Sequence, residues 1–65
     1  MVFDIDEYIL VEHSEGLFRI GKIASEVYKL YSGGDWGYNV IKYGGKSARF
    51  HHKEDIHKMP ESIKI

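Results

Sequence analysis

Hydrophobic and polar residues alternate over short stretches of this chain, and the stretches are separated by glycine-rich or charged breaks. The clearest stretch is Asp35 to Phe50, where two runs rich in aromatic and β-branched residues flank Gly44-Gly45. Glycine reaches positive φ without steric cost, so this pair predicts two antiparallel strands joined by a tight two-residue turn. Tyr38, Val40 and Lys42 alternate with Asn39, Ile41 and Tyr43, so both faces of the first strand carry apolar groups. After the turn, Ala48 and Phe50 share one face and Ser47, Arg49 and His51 the other; the first is expected to meet the core and the second the solvent.

Upstream, Phe3, Ile5 and Tyr8-Ile9-Leu10-Val11 form the first apolar segment, and its β-branched and aromatic makeup favours a strand. His13-Ser14-Glu15-Gly16 breaks the pattern and Leu17-Phe18-Arg19-Ile20 restarts it, which predicts a hairpin over residues 8–20. Residues 22–32 admit two periods. Ile23, Val27, Leu30 and Tyr31 fall on one helical stripe, with Gly33 placed as a C-terminal cap. Against a helix, Gly21-Lys22 offers no side-chain N-cap and the segment is rich in β-branched and aromatic residues. A long second strand bent at Gly21 accounts better for that glycine. The expected fold is therefore all-β, the alternative being an α+β domain with a helix at 22–32 on a small antiparallel sheet. Downstream, His52-Lys53-Glu54-Asp55 predicts a short helical turn, followed by a brief strand around Ile56 to Met59 that Pro60 terminates. Residues 61–65 are expected to form a frayed tail.

Composition narrows the class. The chain has 65 residues, enough for one domain, and a chain this short buries only about 60% of the surface its unfolded form exposes. It has no cysteine, hence no disulfide and no thiolate zinc site. With an acidic start (Asp4, Asp6, Glu7) in place of a basic and apolar leader, the expected setting is cytoplasmic. No apolar run approaches the roughly 20 residues of a membrane span. Nine Lys and Arg against ten Asp and Glu give a formal charge of -1, which argues against a dedicated nucleic-acid binder while leaving room for a local basic face.

Candidate chemistry is sparse. His51, His52 and His57 lie near Glu54 and Asp55, but no two histidines are four residues apart, and the neighbours His51 and His52 point to opposite faces of a strand. No metal site is assigned. The serines lie in no nucleophile motif, and the glycine pairs lack the lysine and hydroxyl of a phosphate loop, so no catalytic residue and no cofactor are assigned. The best candidate for a ligand-binding face is the aromatic set Tyr31, Trp36, Tyr38 and Tyr43 with Lys42, Lys46 and Arg49 alongside.

Particular segments resemble the SH3-like small barrels. Gly16-Leu17-Phe18-Arg19-Ile20-Gly21-Lys22-Ile23 is similar to the glycine, basic, aliphatic strand pair of Tudor, chromo-barrel and KOW-type domains. Tyr38-Asn39-Val40-Ile41-Lys42-Tyr43-Gly44-Gly45 is similar to their tyrosine, x, valine strand and turn. Arg49-Phe50 through Glu54-Asp55-Ile56 is similar to their closing segment. The resemblance spans about residues 8–60 and implies a five-stranded SH3-like barrel. Two departures stand out: a KOW-type module is normally far more basic, and a methyl-lysine reader needs several rings of Tyr31, Trp36, Tyr38, Tyr43 and Phe50 to converge with an acidic group. The expected function is a non-enzymatic interaction module, of the size of small accessory proteins of bacteria and their phages. Its partner is expected to be a protein or peptide first and nucleic acid second, with self-association through exposed rings or an unpaired barrel edge as a third reading.

Overall fold

In the computed structural model, which describes residues 2–63, the chain is all-β, and no α-helix occurs among the described residues. The strands are β1 (Tyr8–Ser14), β2 (Leu17–Ile23), β3 (Tyr28–Lys29), β4 (Trp36–Lys42), β5 (Ala48–His52) and β6 (Ile56–Lys58). All pair antiparallel. One edge of β4 takes β2 and β3, β5 also pairs with β4, β1 lies beyond β2, and β6 returns to pair with β1. The sheet curls into a half-barrel, compatible with the SH3-like barrel the sequence resembles.

The 8–20 hairpin forms as expected, with Gly16 at φ 79° in its turn. Its register slips between Glu12 and Ser14, leaving His13 as the extra residue of a bulge. The ladder between β4 and β5 is symmetric about Gly44-Gly45 but stops at Ile41 and Ala48. The chain turns earlier than a two-residue loop requires. Gly45 N–H donates to the Lys42 carbonyl at 2.8 Å, and Gly44 supplies the positive φ of 81° that this four-residue turn demands. The expected helical turn is a single 3-10 turn at Lys53–Asp55, leading directly into β6.

Residues 22–32 follow neither reading in full. The helix is absent because Lys22 and Ile23 are already held in the ladder opposite Ile41 and Val40. The long strand is interrupted because Ser25 substitutes its side chain for a backbone group: Asn39 N–H donates to Ser25 Oγ at 3.0 Å, while Ala24 N–H donates to the Asn39 carbonyl at 2.8 Å. The chain then rejoins the sheet as the two-residue β3, so the strands among the described residues number six and not five. Gly21 sits inside β2, where β4 joins the sheet, and a Cβ there would meet Val40 Cγ1 at 2.5 Å. The glycine is accounted for by this close approach.

Among the described residues, seven buried side chains form the core: Phe3, Ile9, Val11, Ile23, Tyr38, Val40 and Ile56. They come from β1, β2, β4, β6 and the segment before β1, as a closed-up sheet requires. That leading segment is tied down by Asp6 N–H to the Ile23 carbonyl and Ile23 N–H to the Glu7 carbonyl, at 2.8 and 2.9 Å. Asp6, at φ 73°, reverses the chain so that Phe3 lies on the core. At the far end, Ile63 N–H closes a turn on the Pro60 carbonyl at 3.0 Å. The frayed tail expected at 61–65 falls partly, at residues 64 and 65, outside the described residues.

Candidate functional site

The inner face of the half-barrel can be followed strand by strand from the pairing. Opposed residues in an antiparallel pair project to the same side. Tyr38 and Val40 are buried and stand opposite His51 and Arg49, so it is Arg49 and His51 that share the core side of β5. The expectation for Ala48 and Phe50 is thereby corrected. Ala48 is exposed, and Phe50 lies on the outer face, edge-on to Tyr28 and His52 at centroid distances of 5.2 and 5.3 Å, above Gly37. Alternation shows which residues share a face but not which face the core occupies.

Followed past the core, the inward rows end in cations. On β4 the row runs Tyr38, Val40, Lys42; on β2 it runs backwards from Ile23 through Gly21 to Arg19, the residue opposite Val11. Three adjoining depressions collect these ends. One, of 260 Å³, is lined by Val40, Lys42, Lys46, Ser47, Arg49 and His51 among others. The second is a narrow pit walled by Val11 and Ile20 and rimmed by His13, Arg19, Lys42 and His51. The third is an open groove of 620 Å³ between Phe18 and Arg19 on one side and Lys42, Tyr43 and the Gly44-Gly45 turn on the other. Lys42 lines all three.

This mouth holds four of the nine Lys and Arg residues, two of the four histidines and no carboxylate. Among the described residues, the ion pair of Lys22 with Asp6 and the contact of His57 with Glu12 lie elsewhere. The acidic groups Asp4 and Glu26 line a separate depression with Val2, Ile5 and Val27. The formal charge of -1 is therefore segregated, with the positive part concentrated on a concave surface. His51 registers this field. Its pKa is lowered from the ordinary 6.5 first by burial, with Asp55 opposing and Lys42, Arg49 and His13 adding to the depression.

The residues singled out from sequence divide into three groups. Lys42, Tyr43, Lys46 and Arg49 come together at the mouth. Tyr31 and Trp36 lie at the opposite end of β4, about 20 Å away along the strand, both exposed, with Lys29 Nζ 4.7 Å from the centre of the Trp36 ring. Tyr38 leaves the set altogether: it is 1% exposed, and its ring packs edge-on against Phe3. Tyr38 lies on the Phe3 side of Val40, towards the middle of the core, whereas Lys42 on the same row lies at its open end. Sequence reasoning missed Phe18, Arg19, His13 and His51. The signal available for Arg19 was its even spacing from Leu17 and Ile23 of the same strand; His51 stands at odd spacing from Ala48 and Phe50, so only its pairing opposite the buried Tyr38 reveals its side, and the bulge that frees His13 has no such signature.

Chemically, the mouth offers permanent donors, two titratable imidazoles and an apolar floor. It suits anionic groups. At 260 Å³ and open, the Arg49 depression is smaller than the enclosed pockets of roughly 300–1,000 Å³ that hold small molecules, so it fits a group carried on a longer chain. Among the described residues no cluster of three or more His, Asp or Glu side chains is placed to hold a metal ion, and no helix is long and apolar enough to cross a membrane. No family model, curated protein or solved structure matches the chain.

Proposed function

We propose that this chain is a non-enzymatic, cytoplasmic interaction module of the SH3-like barrel class that engages an anionic partner chain across the cationic mouth of its half-barrel. The observation that carries the reading is the company of Lys42: Arg19, Lys46, Arg49, His13 and His51 converge on the surfaces it lines, with no carboxylate among them. Like charges held together on a concave surface repel, and an arriving anion removes that repulsion while making charge-assisted hydrogen bonds. The sequence places a protein or peptide first as the partner, and an acidic segment supplies this chemistry. A methyl-lysine cage of the Tudor kind is disfavoured, since Trp36 and Tyr43 stand at opposite ends of β4 and the concave surface is itself positive.

The test uses the chain's own charge. A protein of net charge -1 flows through a polyanionic exchange column unless its cations are clustered. Wild-type protein is expected to be retained at low salt and released by a modest salt step. The double variant Lys42→Gln/Arg49→Gln should flow through, whereas Lys53→Gln/Lys58→Gln, with the same charge change elsewhere, should be retained. Flow-through of the wild type, or equal loss in both variants, sinks the reading.

A further inference from the structure

Two exposed rings flank the cations. Phe18 and Tyr43, 48% and 63% exposed, line the same open groove as Arg19 and Lys42, where the β4-side edge of β2 has no strand paired to it. Beside β4, β2 pairs only over Gly21–Ile23, and the edge formed by Leu17 to Arg19 is left open, with Tyr43 N–H reaching the Ile20 carbonyl at 2.9 Å to fix the width of the gap. Each ring is braced by another. Phe18 meets the His57 ring edge-on at 5.4 Å, and Tyr43 lies tilted against Tyr8 at 6.3 Å. Both rings are therefore held by a neighbour at the place where they line the groove, which lowers the side-chain freedom a ligand has to remove.

The carboxylates of an acidic peptide use the cations but not the two braced aromatic faces beside them. A single-stranded nucleic acid uses both. Unpaired bases stack on rings, and the phosphates that follow them meet Lys and Arg. Resting on the anion-binding reading of the mouth, we propose that the partner is a single strand of nucleic acid: its bases stack on Phe18 and Tyr43, and its backbone runs over Arg19 and Lys42 towards Lys46 and Arg49. A duplex keeps its base faces covered and gains nothing from the rings. The chain's formal charge of -1 does not oppose this, because the carboxylates lie outside the three depressions.

The experiment is a titration of the whole protein against labelled homopolymeric single strands of about eight nucleotides, within the range of single-strand site sizes of small barrels. Poly-glutamate, inorganic polyphosphate and duplex DNA of matched charge serve as competitors. Expected are tighter binding to the single strand than to any competitor and a salt slope near -0.7 per phosphate neutralised, about -3 for four cations. Tyr43→Leu and Phe18→Leu should each weaken binding by roughly fivefold to a hundredfold, the range that one stacked base contributes. Both positions are exposed, and the fluorescence of Trp36 at the other end of β4 reports independently that the variants are folded. If poly-glutamate or polyphosphate competes as well as the oligonucleotide and the two leucine variants bind like wild type, the nucleic-acid assignment is overturned while the anion-binding mouth stands. If no polyanion binds, both fall.

Discussion

The hydroxyl of Tyr38 accepts the backbone N–H of Phe3 at 3.2 Å, and the two rings meet edge-on at 5.6 Å. One residue in the middle of β4 thus holds the segment that precedes β1 over the core. Tyr38→Phe keeps the ring but strands a buried N–H, at a cost of about 1–3 kcal/mol. Tyr38→Ala also opens a cavity and should cost about 3–5 kcal/mol. Urea unfolding midpoints of the two variants should rank in that order, and a Tyr38→Phe variant as stable as wild type would show that the bond contributes nothing.

Two glycines make a second, graded prediction. A Cβ at Gly21 overlaps Val40 Cγ1, whereas at Gly37 it overlaps the His51 carbonyl oxygen and the Phe50 ring. A side chain can shift a little in a core; a paired backbone carbonyl cannot without breaking the ladder. Gly21→Ala should cost about 1–3 kcal/mol as ordinary overpacking. Gly37→Ala should cost more, and calorimetric midpoints measure the difference.

The mouth should trade stability for binding. Arg49 and Lys42 stand among cations without a carboxylate partner, so neutralising either relieves repulsion. Lys42→Gln and Arg49→Gln are each expected to gain a few tenths of a kcal/mol at low ionic strength, an advantage that fades as added salt screens the cluster. The same variants bind the anionic partner more weakly. Melting curves at low and high salt, read beside the binding titration, should show these opposite signs.

Acidification should separate the same two quantities. The pKa of His51 is below 6.5 in the folded protein, chiefly through burial, with Lys42 of β4, Arg49 of β5 and His13 of β1 adding to the effect and Asp55 of the 3-10 turn opposing it. A depressed histidine contributes stability that is present above about 6.5 and lost as pH falls through the folded value. A bound phosphate favours the imidazolium instead. Between about pH 7.5 and pH 5.5 the free protein should therefore lose melting temperature while its affinity for the single strand rises. His51→Gln should flatten both trends, and unchanged trends in that variant would remove His51 from the account.

Much of the fold was legible because local signals agreed with it. Gly16 and Gly44 sit where a turn needs positive φ, Pro60 follows the last strand, and the acidic pair before Ile56 forms the expected 3-10 turn. Residues 22–32 were not legible, since what shapes them is the pairing of Ser25 and Ala24 with Asn39, a contact far along the chain. The candidate site was half legible. Lys42, Tyr43, Lys46 and Arg49 are close in sequence and close in space. Arg19, His13 and Phe18 arrive from another hairpin, and Tyr38 looked like a surface ring only because the inward side of β4 was not yet known.

The pairing of β1 with β6 also sets a clock. β6 meets β1 only after the chain has passed through the strands between them, so this pairing closes longer loops than any other strand pair among the described residues. Loop entropy must be lost before such a contact returns anything, which places folding in the millisecond-to-second range of small β-barrels. Docking of Ile56 should be the last event: Ile56→Val is expected to accelerate unfolding and leave the refolding rate nearly unchanged. Stopped-flow chevrons of the two proteins would show it as a shift of the unfolding arm alone.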